Sequence, residues 1–255
     1  MALLANKKAV VFGVANDHSI AWAIAQALHR EGAELAFTYV GEAIEKRVRP
    51  LAASLGGNIV LPCDVTKDED IAATFAALAA QWGRVDVVIH GVAFALREEL
   101  KGRFSNTSRD GFHVAMDVSV YSLIAIARHA EPLMREGGAV LTLTYFGAEK
   151  VLPNYNIMGI AKAALEASVR YLAWDLGPQK IRVNAISAGP LRTLSSAGIT
   201  GFKDMLHHHE ERAPLRRNVR VDEVADSAVY LCSDLGSGVT GEVLHVDAGY
   251  NVVGM

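Results

Sequence analysis

The chain has 255 residues, of which 51% are hydrophobic and 21% charged, a balance that buries a core and excludes a largely disordered protein. Lys and Arg number 25 against 28 Asp and Glu, a net charge of −3, which opposes the basic surface that nucleic acid demands, so no such partner is expected. Cys63 and Cys232 stand far apart without CxxC spacing; this excludes a disulfide framework or thiolate zinc site and fits a reducing cytoplasm. No window reaches the ~18 unbroken apolar residues of a membrane span. The charges of Met1–Lys8 follow a short apolar run instead of preceding a long one, unlike a signal peptide. With no repeat, low-complexity stretch or linker to divide it, the chain 1–255 reads as a single domain.

The first predicted strand, Ala9–Phe12, runs into Gly13-Val14-Ala15-Asn16-Asp17-His18-Ser19, after which Ile20, Ile24 and Leu28 recur at a spacing of four, with Gly32 placed to cap the helix. The loop has one turn glycine and no GxGxxG. Ser19 stands where a helix N-terminus can hold a pyrophosphate, and equally where a serine simply caps a helix. A second strand, Leu35–Tyr39, leads through Val40 to a helix over Glu42–Ser54. No cation stands at the strand end and Lys46 and Arg47 lie about a turn further on, so a ribose 2′-phosphate lacks a counter-charge and NADH is favoured over NADPH. The third strand, Ile59–Leu61, is followed by Asp64-Val65, where a carboxylate can accept from an adenine amino group or close a turn. A helix over Asp68–Trp82, a strand Val85–His90, a helix over Asp110–Arg135 and a strand Ala139–Tyr145 come next. They are followed by a helix over Tyr155–Leu176, a strand Ile181–Ile186, a helix over Asp222–Leu231 and a last strand, Val243–Val246. Such alternation predicts an α/β fold, a doubly wound Rossmann-type domain with a seven-stranded parallel sheet and its ligand beyond the carboxyl ends of the strands.

Tyr155 and Lys162 are seven positions apart, within about 20° of two helical turns, which places both on one face of the predicted helix. A phenol that donates to an oxygen gaining negative charge, beside an ammonium that binds ribose hydroxyls, suits hydride chemistry. A packed tyrosine and a solvated lysine are the plainer reading of any such pair. Ordinary short-chain dehydrogenases carry Tyr-x3-Lys with a serine about thirteen residues before the tyrosine. Here Met158 and Tyr145 occupy those positions.

Tyr-x6-Lys preceded by a second tyrosine, together with Gly13-x5-Ser19-x-Ala21, resembles a divergent branch of the short-chain dehydrogenase/reductase superfamily: the NADH-dependent enoyl-acyl-carrier-protein reductases of bacterial type II fatty-acid synthesis. Arg30 to Tyr39, Pro153 to Gly159, Arg182 to Pro190 and Leu231 to Leu235 resemble that family too, so the likeness spans the chain. It implies that Tyr155 hydrogen-bonds a thioester oxygen, that Lys162 binds the nicotinamide ribose and that Tyr145 lines the acyl pocket and assists. It further implies cofactor contacts at Gly13, Ser19, Ile20, Val40, Asp64, Val65, Val92, Leu191, Arg192, Thr193, Leu194 and Ser195. A substrate contact is implied at Ala95, with a covering segment over about 191–210. Implied partners are an acyl-carrier protein, met by Lys203, Arg212, Arg216 and Arg217 unless these are only solvated charges, and three further copies of the chain in a homotetramer.

The chain departs from the family at Gly91 and Ala93, where serine and glycine are usual, and at Phe12, where a small hydroxyl residue is common. Consecutive residues point apart on helix or strand, so His207-His208-His209 is read as a solvated lid helix and no metal site is expected. His90 is read as a hydrogen-bonded structural residue. The rival readings are a 3-oxoacyl or alcohol dehydrogenase, which Met158 opposes, a nucleotide-sensing module and a purely structural subunit.

Overall fold

The computed structural model describes residues 2–193 and 201–254. Strands β1 (Lys8–Phe12), β2 (Glu34–Tyr39), β3 (Ile59–Pro62), β4 (Val87–His90), β5 (Gly138–Thr144), β6 (Ile181–Ala188) and β7 (Val243–Val246) are all parallel, in the order β3-β2-β1-β4-β5-β6-β7. The order reverses between β1 and β4, which opens a crevice at the carboxyl ends of those two strands.

Alternation along β1 shows how two layers arise. Ala9 and Val11 enter one core with residues of α1 (Ile20–Arg30), α2 (Glu42–Ser54) and α8 (Val221–Cys232). Val10 and Phe12 enter the other, with α3 (Asp68–Trp82), α5 (Ser122–Ala130) and α6 (Ile157–Leu176). Each fully buried Leu, Ile or Phe in such a layer contributes ~1.5–3 kcal/mol relative to exposure. Phe12 is wholly buried and stacks on Phe75 with ring centroids 6.1 Å apart. Gly32, at φ 89°, closes α1 as expected, with the Ala33 N–H returning to the Leu28 carbonyl at 3.0 Å.

Helices α2 and α3 and strand β7 occupy the ranges read from sequence; β4 starts two residues later than predicted, at Val87. Two expectations are corrected. The stretch 110–135 is not one helix: α4 (Arg109–Met116) passes through a π turn at Asp117–Tyr121 into α5, and a 3-10 turn, Glu131–Leu133, follows. The wide turn carries Ser119 and Ser122 to the loop after β4. Ser119 Oγ donates to the Phe94 carbonyl at 3.1 Å and accepts from its N–H at 3.0 Å, while Ser122 Oγ lies 2.8 Å from His90 Nε2. Arg109–Leu133 is long and apolar enough by composition to cross a membrane, and half of its most apolar stretch is buried in the fold.

The second correction concerns Tyr155. Helix α6 begins only at Ile157, because Asn156 adopts φ 37° and ψ −114°, and Asn154 has φ 62°. Asparagine tolerates this left-handed region better than most residues, so Tyr155 sits in a turn between two such positions. The seven-residue spacing to Lys162 is therefore not two turns of one helix. Helix α7 (Phe202–Arg212) begins within the expected covering segment and ends two residues past it; Leu194 and Ser195 lie outside the described residues.

Candidate active site

At the end of β1 the chain turns at Gly13, whose φ of 93° favours glycine and whose Cβ, were there one, would run into the Gly91 carbonyl. The Gly91 N–H donates to the Phe12 carbonyl at 3.0 Å, which ties the loop after β4 to this turn. Gly91 is crowded too: a Cβ there would stand 2.8 Å from the Phe12 oxygen and 2.9 Å from the Ala21 methyl. Ser19 folds the loop back on itself, its hydroxyl accepting from Ala15 N–H at 3.0 Å and Asn16 N–H at 3.1 Å and donating to Asn16 Oδ1 at 3.2 Å. No side chain caps α1. Its first N–H groups, which have no intrahelical acceptor, remain for a phosphate.

A cavity of about 490 Å³ runs from this turn to the ends of β5 and β6. At its far end Tyr155 is buried, its ring lying close against Gly147 and edge-on to Tyr145, with centroids 5.3 Å apart at 74°. Burial pushes both phenols well above the ordinary tyrosine range, so each is a neutral donor at physiological pH. The Tyr145 hydroxyl meets Met205 Sδ of α7 at 3.0 Å. Lys162 is buried and donates from Nζ to the Leu143 carbonyl at 2.8 Å; burial lowers its pKa to about 8, against the pull of Glu166. His90 binds Thr142 Oγ1 through Nδ1 and Ser122 Oγ through Nε2, each at 2.8 Å, and burial with Lys162 nearby lowers its pKa to about 3. It is neutral and structural.

The cavity gathers Gly13, Ser19, Ile20, Val92, Ala95, Tyr145, Tyr155, Lys162, Leu191 and Thr193. Val40, Asp64, Val65 and Arg192 are not in its wall. Val40, 55% exposed, follows β2, and Asp64 and Val65 follow β3, at the carboxyl edge of the same sheet. The Asp64 carboxylate closes a turn, accepting from Thr66 Oγ1 at 2.7 Å and Thr66 N–H at 3.1 Å, and the Thr66 hydroxyl holds its pKa below the usual carboxylate value. After β2, Lys46 is engaged by Glu42 at 2.6 Å. Sequence reasoning missed Phe94, Leu96, Leu100, Met158 and Phe202, which give the cavity its apolar wall. Phe94 and Leu96 follow β4, where the strand-end rule pointed, and Phe202 lies in the expected covering segment without having been singled out.

These groups suit a dinucleotide: the start of α1 offers N–H groups of the kind that hold a phosphate, and the Lys162 ammonium has two N–H donors beyond the one given to Leu143. The donor set around His207 to His209 differs. His207 pairs with Glu211 at 3.2 Å and is exposed, whereas His209 is buried and stacks on Tyr250 at 4.6 Å. Among the described residues no three His, Cys, Asp or Glu side chains converge as metal ligands.

The profile of the family described as enoyl-(acyl carrier protein) reductase matches residues 13–251. Enoyl-[acyl-carrier-protein] reductase [NADH] 1 of Rhizobium meliloti is 57% identical over 253 residues, 99% of this chain and 93% of its own. The corresponding Bacillus cereus enzyme is also 57% identical, with 100% of both chains covered. A crystal structure of the Bacillus cereus reductase with NADP+ and an indole naphthyridinone superposes with a TM-score of 0.98 at 56% identity, covering 100% of both chains. That of the Anaplasma phagocytophilum reductase with NAD gives 0.96 at 56% identity, covering 99% of this chain and 97% of that one.

Proposed function

The chain belongs to the enoyl-(acyl carrier protein) reductase family, and from that premise we propose that Tyr155, Lys162 and Tyr145 carry its reaction within one dinucleotide-binding domain. The protein is an NADH-dependent oxidoreductase of fatty-acid elongation. When bound, NADH supplies a hydride to the β-carbon of a trans-2-enoyl thioester, and the saturated acyl thioester results.

Reduction at the β-carbon drives electron density onto the thioester oxygen. Tyr155, a buried neutral phenol, donates its hydrogen bond to that oxygen and stabilises the enolate until the α-carbon is protonated. Because burial raises the phenol's pKa, Tyr155 acts as a donor and keeps its proton at neutral pH. Lys162 holds the nicotinamide ribose with the two donors it does not give to Leu143 and adds positive potential beneath the site. Tyr145, edge-on to Tyr155, walls the acyl chain, and α7 excludes water above it. The carrying observation is the presence of Tyr155 and Lys162 in one cavity with the Gly13 turn and the start of α1.

The acyl chain arrives on an acyl-carrier protein. Of the cations assigned to its acidic surface, Lys203 and Arg212 are exposed, whereas Arg217 is committed to Glu223 by bonds of 2.8 and 2.6 Å and Arg216 to the Glu211 carbonyl. Lys203 and Arg212 therefore form the docking pair. Tyr171 and Trp174, 76% and 84% exposed on α6, with Tyr121 and Ile124 around α5, form the apolar faces of a homotetramer. The cytoplasm is its compartment, in keeping with two free buried cysteines.

The test is spectrophotometric. Purified protein oxidises NADH when given crotonyl or longer trans-2-enoyl thioesters and leaves NADH absorbance steady with a 3-ketoacyl thioester. Oxidation with the ketoacyl thioester alone contradicts the assignment and favours an ordinary short-chain dehydrogenase.

A further inference from the structure

Beside the reaction groups lies a buried carboxylate that the mechanism above does not use. Glu166 is one turn beyond Lys162 on α6, and both side chains are buried. Consecutive residues at the end of β5 grip them. The Leu143 carbonyl accepts from Lys162 Nζ at 2.8 Å, and Thr144 Oγ1, the next residue on, donates to Glu166 Oε1 at 2.7 Å. Two rungs thus join one strand end to two successive turns of the helix; in the second, Thr144 lines the cavity and Glu166 lies outside its wall. A carboxylate kept this dry is costly unless it is hydrogen-bonded and faces a positive charge. Thr144 supplies the bond, His245 and Arg170 favour the carboxylate's charge, and the buried Lys162 ammonium one turn back on α6 feels that charge in turn.

Resting on the reading of Lys162 as the ribose-binding group, we propose that Glu166 is a positioning residue for it. With Thr144, Glu166 holds α6 against the end of β5 and keeps the Lys162 ammonium cationic in a site without water. The consequence is chemical. A cationic lysine has three N–H donors, one for Leu143 and two for the ribose; a neutral amine has only two.

The charged and titratable groups around the pair are few. Arg170 on α6, Glu149 in the turn after β5 and His245 on β7 face Glu166 together with Lys162, and His245 Nε2 is bound to Glu149 Oε1 at 2.6 Å. Tyr155 also feels the carboxylate, and His90 on β4 feels the lysine. Burial raises the Glu166 pKa, while the Thr144 hydroxyl, His245 and Arg170 oppose the rise.

The experiment is NADH affinity by fluorescence titration from pH 6 to 9.5 in the full-length protein, without substrate. In the wild type the dissociation constant begins to climb near pH 8, where Lys162 loses its proton. Glu166→Gln keeps an acceptor for Thr144 and removes the charge. The onset of the climb is expected to move down by about one unit, giving roughly fivefold weaker binding at pH 8 and binding within about twofold of wild type at pH 6. A merely structural role would lower thermal stability and leave the onset where it was. Should Glu166→Gln not fold, Thr144→Val takes its place: stripped of its donor, the carboxylate protonates more readily and the onset falls, whereas Thr144→Ser restores it. An onset unmoved in the folded Gln variant, or in Thr144→Val, overturns the role of Glu166, as does a wild type with no climb near pH 8. Failure of the wild type to oxidise NADH with any enoyl thioester would instead remove the reading of the site itself.

Discussion

At the α1 end of the cavity the groups offered to a ligand belong to the backbone: the Gly13 turn, the loop folded by Ser19, and the unpaired N–H groups of a helix start. At the β5 and α6 end they are the side chains of Tyr145, Tyr155 and Lys162, all buried or nearly so and all shifted from their ordinary pKa values. The backbone end binds by shape and by fixed dipoles that no single side chain supplies. The side-chain end works by charge state, so it answers to pH and to single-atom changes. On the proposed reading only Lys162 serves both binding and chemistry, so the Gly13 turn and the Tyr155 hydroxyl are separable by mutation although they lie in one cavity.

The sharpest way to break that separation is at Tyr155. Tyr155→Phe removes one hydroxyl from the reaction end and is expected to lower kcat on the order of 10²–10³-fold, the usual loss for a donor to a developing oxyanion. NADH affinity, followed by fluorescence, stays within about threefold. A variant that loses affinity and turnover together would merge the two ends.

The reverse experiment is Gly13→Ala. The methyl group meets the Gly91 carbonyl and forces alanine to a φ near 93°, so the fold loses about 3 kcal/mol and NADH binding weakens with it. Chemical denaturation measures the first and fluorescence the second. Residual enzyme saturated with NADH should turn over within a few-fold of wild type.

A smaller effect sharpens the contrast through pH. Folding lowers the pKa of Lys162 from 10.5 to about 8, so burying the cation costs the apo fold about 3 kcal/mol below pH 8, and the cost fades as pH rises toward 10.5. Lys162→Met escapes that cost. Its melting temperature without ligand should exceed that of the wild type at pH 7, and the gap should narrow above pH 8. A gap independent of pH would show that Lys162 is not the buried cation described.

The seven parallel strands and the covering of the sheet on both faces were legible because apolar runs and helical repeats alternate along the chain; α2 and α3, with their amphipathic spacing, fall where that spacing placed them. Tyr155 and Lys162 were found for a partly wrong reason. Their spacing suggested one helical face, but Asn156 at φ 37° keeps Tyr155 out of α6, and local propensity does not reveal that the asparagines on either side hold a turn. The break of 110–135 at a π turn was hidden in the same way, since it depends on bonds from Ser119 and Ser122 to residues near β4, distant in sequence. Glycine and helix-start signals pointed to Gly13, Ser19 and Ile20, which line one end of the cavity. Val40, and Asp64 with Val65, expected at the ends of the second and third strands, fall beyond the cavity wall, on strands one and two places out from β1.

The central claim is that one phenol and one ammonium, presented from the turn before α6 and from α6 itself, reach opposite partners at the nicotinamide end. A crystal structure of the protein with NAD+ and an unreactive enoyl thioester analogue tests it most directly. The account predicts Lys162 Nζ within about 3.2 Å of the ribose hydroxyls and the Tyr155 hydroxyl within about 3 Å of the thioester oxygen. A complex in which either group points away from the nicotinamide end, with the thioester oxygen held by other donors, would contradict it.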